Sequence, residues 1–377
     1  MQQRSIPRLG IVTSRLGFGA MRLPVQNGKI DEARARSMID VLFKSGVTYY
    51  DTAWFYHGGT SETFLREALV RRYPRDSFTV ATKLPMECCQ TPDDMTRIFE
   101  TQRKNLGVST IDFYLLHGIG TDGWQKAKEF GAPAYLRRLK EEGKIRFIGF
   151  SFHDENKAFE PILDAFDWEF CQIQLNYADW HQRGAKDLYE ALVRRDLPVI
   201  VMEPVRGGGL TQLRSDMQAL LDTQDPTVSP AAWALRFCAE LPHVDIVLSG
   251  MSSVAQCEEN IALFSDPHPL SASERETLRE IAQAFDRLPV IPCTHCRYCA
   301  DCPQGIDISL LFERYNRHMR YQDSWGLFHE YRTEIPDEHK AIACTRCGRC
   351  ESACPQRISV MDEIARVHQV AEKLWES

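Results

Sequence analysis

The sequence predicts an α/β chain in two parts: a closed (β/α)8 barrel over residues 1–288 and a small cysteine-rich unit over residues 289–377. Three observations carry that expectation. Eight short runs rich in β-branched and aromatic residues alternate with longer stretches of helical period between about residues 16 and 263. No helix-opening Gly-rich turn follows the first run, as an open nucleotide-binding sheet would require. Eight of the thirteen cysteines crowd into two short segments after residue 290.

The strand candidates are Leu16–Met21, Thr48–Ala53, Phe78–Lys83, Ile111–His117, Arg146–Ser151, Phe170–Gln174, Val199–Met202 and Asp245–Ser249. Helices are expected over Asp31–Lys44, Ser61–Arg72, Pro92–Asn105, Ala134–Glu142, Lys186–Arg194 and Pro230–Ala239. Ser61 reads as an N-cap, and Ser229 precedes a proline at a first helical position. Gly46, Gly107 and Gly143 each follow a helix as a terminating residue would. Strict alternation implies parallel strands joined by crossover helices, and eight such units in about 250 residues is the size of a TIM barrel. Gly17-Phe18-Gly19 is followed by Met21, Arg22 and Pro24 instead of a helix, so the open doubly wound sheet loses. Ser271 and Glu274 then frame a capping box for an amphipathic helix to about Phe285, and Pro289 and Pro292 mark a linker.

Composition excludes several classes. Net charge is −7, from 45 basic and 52 acidic residues, with no clustered Lys and Arg to grip nucleic acid or an anionic membrane. No run approaches the roughly 18 apolar residues of a membrane helix. The opening MQQRSIPRLG lacks the pattern of a secretory signal, so a cytoplasmic location is expected.

The cysteine segments are an internal repeat. Cys293-Thr-His-Cys296-Arg-Tyr-Cys299-Ala-Asp-Cys302-Pro-Gln recurs as Cys344-Thr-Arg-Cys347-Gly-Arg-Cys350-Glu-Ser-Ala-Cys354-Pro-Gln. Three cysteines spaced by two residues let one loop wrap a metal–sulfur cube, and a fourth followed by Pro reaches the other cube. That spacing assigns Cys293, Cys296, Cys299 and Cys354 to one 4Fe-4S cluster, and Cys344, Cys347, Cys350 and Cys302 to a second. The first segment is one residue shorter before its last cysteine. Zinc knuckles are the competing reading, but they draw two ligands from each of two separated pairs. The unit is therefore expected to be a small, mainly helical ferredoxin-like domain.

In barrel enzymes the chemistry sits at the C-terminal strand ends. Asp51, Lys83 and His117 end the second, third and fourth strand candidates, and Tyr56 follows the second. A Lys at the end of an apolar strand needs a carboxylate, which Asp51 supplies from the neighbouring strand. An ammonium beside a phenol favours phenolate, so Lys83 is expected to bring Tyr56 below the usual tyrosine range near 10. His117 is placed to donate to a carbonyl oxygen. Each of the four also has a bland reading as a structural residue; their convergence on one rim is what favours chemistry.

At these residues the chain resembles the aldo-keto reductase superfamily. The matching stretches are Gly-Phe-Gly-Ala-Met-Arg-Leu-Pro at 17–24, Asp51-Thr-Ala-Trp-Phe-Tyr56 with Gly58-Gly59-Thr-Ser-Glu62, Ala-Thr-Lys83, Asp112-Phe-Tyr-Leu-Leu-His117, Ile148-Gly-Phe-Ser151 and Glu259-Asn260. With the cysteine-rich tail, it is similar to the branch carrying a ferredoxin-type extension. The resemblance implies Asp51, Tyr56, Lys83 and His117 as a catalytic tetrad with Tyr56 the proton donor. It also implies an NAD(P)H site: Ser151 and Gln172 at the carboxamide, Met202 against the nicotinamide ring, and Gly250, Gln256, Glu259 and Asn260 at the adenosine-phosphate end. The family's NADP users place cations where this chain has Gly250 and Gln256, which favours NADH over NADPH. Met202 replaces the family's stacking aromatic. Gly207-Gly208-Gly209 reads equally as a pyrophosphate loop or as a flexible one, and Cys88 and Cys89 as pocket lining or as ordinary small residues.

The expected activity is interconversion of a small-molecule carbonyl and its alcohol. Hydride transfer moves two electrons and each cluster carries one, so two alternatives stand beside it. One is a ferredoxin-linked electron-transfer enzyme that uses no nicotinamide; the other is a redox-sensing binding protein on an inactive barrel. Candidate partners are a ferredoxin or another redox protein.

Overall fold

The computed structural model describes residues 1–376 except 155, 182–183, 294–298, 323–326, 328, 330 and 355–356. The chain opens with an antiparallel hairpin, β1 (Gln3–Ile6) and β2 (Ile11–Ser14), in the register Gln3 opposite Ser14. The first parallel strand, β3 (Leu16–Gly19), follows at once, so the hairpin lies at the N-terminal ends of the strands. A small hairpin, β4 (Val25–Gln26) and β5 (Lys29–Ile30), leads into α1 (Glu32–Lys44). Asp31 caps α1 by accepting from the Arg34 N–H.

The remaining parallel strands are β6 (Tyr49–Asp51), β7 (Thr79–Leu84), β8 (Ile111–Ile119), β9 (Ile145–Phe152), β10 (Phe170–Gln174), β11 (Val199–Met202) and β12 (Val244–Ser249). They close in the order β10-β11-β12-β3-β6-β7-β8-β9, with β10 also bonded to β9. All eight expected strands are present, and the fold is the TIM barrel that the alternation predicts. The intervening helices are α2 (Ser61–Leu65), α3 (Pro92–Leu106), α4 (Thr121–Glu129), α5 (Ala132–Glu141), α6 (Phe159–Asp164) and α7 (Ala185–Arg194). Later ones are α8 (Ser215–Asp222), α9 (Pro230–Glu240), α10 (Val254–Ser265) and α11 (Ala272–Asp286).

Two local expectations need correcting and others hold. The helix from Ser61 stops at Leu65 and continues as a wider π-type turn over Arg66–Val70. Ser61 does not cap it, because its hydroxyl is sequestered between Ala20 O (3.1 Å) and the Thr52 hydroxyl (2.8 Å). Ser229 does cap α9, accepting from the Ala232 N–H. Ser271 and Glu274 form the reciprocal bonds of a capping box. Gly107 ends α3 in the left-handed conformation.

The barrel interior is filled by Tyr49, Phe113, Phe147, Phe170, Ile200 and Ile246, with Ile6 and Leu9 of the first hairpin joining them. Phe113 meets Tyr49 and Phe170 edge-to-face at 5.0 Å each. Burying one such ring contributes about 1.5–3 kcal/mol. A Cβ on Gly149 would stand 2.5 Å from the Phe170 ring, so glycine is what lets these strands share the interior.

The chain divides into two compact units, Met1–Gly208 with Thr227–Ala282, and Gly209–Pro226 with Gln283–Ser377. The second is helical: α8, α12 (Ile308–Tyr321), the short α13 (Tyr331–Thr333), α14 (Arg349–Ala353) and α15 (Val360–Glu376). Its core includes Ile291, Leu311, Phe312, Tyr315, Ile364 and Val367. The buried Asn316 amide donates to Ile291 O and accepts from Ile291 N, both at 2.7 Å, tying the linker to α12. Among the described residues, no helix is long and apolar enough to cross a membrane.

Candidate active site and cluster-binding cysteines

Asp51, Lys83 and His117 come from β6, β7 and β8, three neighbouring strands, and Tyr56 from the turn after β6. Asp51 and Lys83 are each 1% exposed. The Lys83 Nζ donates to Asp51 Oδ1 (2.5 Å) and to Thr52 O (2.8 Å), and lies 3.5 Å from the Tyr56 hydroxyl. The Tyr56 and His117 rings stand 6.0 Å apart at 76°. Phe55 stacks on His117 at 4.7 Å and 8°. The structure thus brings all four residues of the expected tetrad together.

Electrostatics fix the protonation states. Burial alone would pull Lys83 down, but the Asp51 carboxylate and Tyr56 hold it above the ordinary lysine value, so it stays an ammonium. Tyr56 departs from the sequence expectation. Burial pushes its phenol up, and the pull of Lys83 downward does not cancel that. It is therefore a phenol at neutral pH, the form that can give a proton. His117 is pushed down to about 2, first by burial, then by Lys83 and His153. It is a neutral imidazole with one N–H to donate.

This state of His117 has a measurable cost in acid. An unfolded chain takes up the proton below pH about 6.5, whereas the folded chain does not until near pH 2. Stability from the neutral ring is intact above pH about 6.5 and is lost as pH falls, at up to about 1.4 kcal/mol per pH unit. Urea unfolding of wild type and His117→Gln is expected to show the wild type losing about 1 kcal/mol relative to the variant between pH 7 and pH 5.5. An unchanged difference would mean that folded His117 takes up the proton too.

At the ring end of the expected cofactor site, Ser151 on β9 and Gln172 on β10 are register partners and are buried. Gln172 Nε2 donates to Met202 Sδ at 3.5 Å, and Gln172 Oε1 is buried without a partner. Ser151 accepts from the Gly118 N–H (2.8 Å). An orphaned amide oxygen beside a hydroxyl suits a carboxamide, which needs both an acceptor and a donor. The other end differs. Gln256 Oε1 accepts from Ser252 N (2.7 Å), Glu259 holds the Ser229 hydroxyl (2.5 Å) and Asn260 donates to the Ser249 hydroxyl (3.0 Å). Gly250 lies against the Arg22 stem: a Cβ there would meet Arg22 Cγ at 3.1 Å.

The loop after β11 carries residues that the sequence reading did not single out. Glu203 and Arg206 are left-handed non-glycine residues, with φ of 55° and 51°. Such conformations persist where neighbours over-determine them. Here Asn176 donates to Glu203 O (3.1 Å), and Arg206 pairs with the buried Asp179 at 3.1 Å. Arg22 reaches across to Glu203 at 3.9 Å. Gly207, with φ 65°, takes a left-handed conformation that a side chain rarely adopts. The available signal was position: Glu203 follows a barrel strand end directly.

In the second unit, Cys302, Cys344, Cys347 and Cys350 line one cavity of about 20 Å³ with Pro303, Gln304 and Arg349. These are the four that the spacing grouped, three from one loop and one from the other. Four thiols around one small cavity suit a cluster. Cys293, Cys299 and Cys354 pack against the unit's core. Cys296 lies outside the described residues. Of the earlier cysteines, Cys89 is buried and Cys88 exposed.

The model of the aldo/keto reductase family matches residues 15–283, and that of a 4Fe-4S dicluster domain matches residues 292–359. L-galactose dehydrogenase of Arabidopsis thaliana is 27% identical over 304 residues, 74% of this chain and 93% of its own. The NADH-specific methylglyoxal reductase of Escherichia coli (strain K12) is 25% identical over 333 residues, covering 74% and 97%. The holo form of an aldo-keto reductase from Bacillus halodurans superimposes with a TM-score of 0.63 at 26% identity, over 75% of this chain and 97% of that one.

Proposed function

This chain belongs to the aldo/keto reductase family and is an oxidoreductase ending in a 4Fe-4S dicluster domain, and on that premise we propose that it interconverts an aldehyde or ketone and the matching alcohol, with Tyr56 passing the proton and NADH, in preference to NADPH, as hydride partner. The observation that carries this reading is Lys83 Nζ placed between Asp51 Oδ1 and the Tyr56 hydroxyl. In the reducing direction the substrate oxygen accepts from the Tyr56 O–H and from the neutral His117 N–H. As hydride reaches the carbon, the C=O π pair moves to oxygen, which takes the Tyr56 proton. Lys83 stabilises the phenolate left behind, and Asp51 keeps Lys83 charged and in place. Ser151 and Gln172 would hold the carboxamide and Met202 the ring face. A bound nicotinamide supplies the hydride. Gly250, Gln256, Glu259 and Asn260 stand for the adenosine end; the lack of a cation at Gly250 and Gln256 supports NADH, as does the cofactor named for the Escherichia coli relative.

Two clusters complete the proposal: Cys302, Cys344, Cys347 and Cys350 on one, and Cys293, Cys296, Cys299 and Cys354 on the other. Such clusters supply one-electron transfer. A ferredoxin or similar redox protein is the proposed partner, in a cytoplasmic setting that keeps free thiols reduced.

The bonds that engage Gln256, Glu259 and Asn260 within the chain favour a second reading, in which electrons reach the barrel without nicotinamide. Anaerobic protein assayed against a carbonyl panel with NADH, NADPH or dithionite separates the two. The first reading expects carbonyl-dependent NADH oxidation, with dithionite bleaching the visible absorbance. Turnover with a low-potential reductant and none with either nicotinamide would sink it.

A further inference from the structure

The first unit holds a second cavity, of about 210 Å³, lined by Gln2, Arg15, Arg236, Glu240, Phe264 and His268, among others. Arg15 immediately precedes β3, so this cavity opens at the N-terminal strand ends, opposite the tetrad. Its volume is more than ten times the roughly 10–15 Å³ that one water needs, yet below the ~300 Å³ of ordinary ligand sites. It has room for a small solute.

The charges around it do not balance locally. Arg15 is half-buried, and its guanidinium reaches one acceptor, Leu241 O, at 3.5 Å, while its Nε is buried without a partner. The nearby Asp245 is engaged by Arg4 at 3.1 Å. Burial first, and then Arg4, lower Arg15's hold on its proton, and the attraction of Asp245 only partly offsets them. The other charged lining residues are committed. Arg236 makes a forked pair with Glu274 (3.0 and 3.1 Å) and donates to His268 O. Glu240 accepts from Leu270 N (2.8 Å) and from Arg275. His268 faces Asp266 at 3.5 Å.

Gln2 stands beside Arg15. The Arg15 N–H donates to Gln2 O at 3.0 Å, extending the β1–β2 register by one pair and setting both side chains on one face. Gln2 Oε1 is also buried without a partner. Its amide can present N–H to an oxyanion if the group turns over. A partly buried guanidinium whose nearby carboxylate, Asp245, is held by Arg4, next to an uncommitted amide and a cavity, calls for an anion.

We propose that this cavity binds a small oxyanion, a carboxylate or a phosphate, with Arg15 as its ion partner and Gln2 as a hydrogen-bond donor. The site is separate from the tetrad and does not depend on how the tetrad works.

Calorimetric titration of the anaerobically purified full chain tests this, with inorganic phosphate in one arm, acetate and succinate in another, and neutral glycerol as control. The expected result is one anion bound per chain, with affinity falling roughly ten- to a hundredfold in Arg15→Met. Preference between the arms identifies the phosphate or carboxylate source. Should Arg15→Met fail to fold, Gln2→Glu decides: it places a carboxylate opposite Arg15, and is expected to abolish anion binding while melting higher than wild type in anion-free buffer. Binding unchanged in the variants, or no binding of any anion, overturns the proposal.

Discussion

Tyr56→Phe is expected to lower kcat for carbonyl reduction by roughly a hundred- to ten-thousandfold, the usual worth of a positioned general acid. KM should move little, since the ring, its edge contact with His117 and the packing of Phe55 all remain. The chemistry behind the number is local. With the hydroxyl gone, no proton is poised 3.5 Å from a fixed ammonium, and water must supply one to the developing alkoxide. Lys83→Met should cost as much activity and also stability, because it strands Asp51 as a buried carboxylate; loss of one partner of such a pair costs about 3–5 kcal/mol. Steady-state rates and chemical denaturation of the two variants separate these effects. Equal kcat in wild type and Tyr56→Phe would remove the phenol from the reaction.

The second large effect concerns iron. Cys350→Ser is expected to remove about half of the iron and half of the visible absorbance, and Cys302→Ser the same half, although 48 positions separate the two. The pairing makes the prediction sharp. Cys302→Ser combined with Cys350→Ser should lose no more iron than either alone, because both serve the cavity that these thiols line together. Cys302→Ser combined with Cys299→Ser should lose nearly all of it. The reverse pattern would show that each segment keeps its own fourth cysteine.

How much of this was legible in the sequence depends on the range of the forces involved. The barrel strands were readable because each is a short apolar run that must be buried on both faces, such as Val199–Met202, whose observed and expected limits coincide. The clustering of Asp51, Tyr56, Lys83 and His117 was readable because a charged residue at the end of such a run has few other reasons to be there. Ser61 was misjudged because its partners, Ala20 and Thr52, come from two other segments that no local pattern reveals. The direction of the Tyr56 shift was misjudged for a related reason. Its attraction to Lys83 can be guessed from spacing, but the desolvation that outweighs it depends on how deeply the folded pocket encloses the ring. The first hairpin was missed because strands of four residues carry too short an alternation to stand out.

That hairpin has a consequence for how the chain is made. Ile6 and Leu9 complete the barrel interior, and the Gln2 backbone N–H donates to Phe264 O near the end of α10. Gln2 therefore finds a partner among residues made some 260 positions later. Closure of the ring is a late event in synthesis, and the bond from Gln2 waits until some 260 more residues have been added.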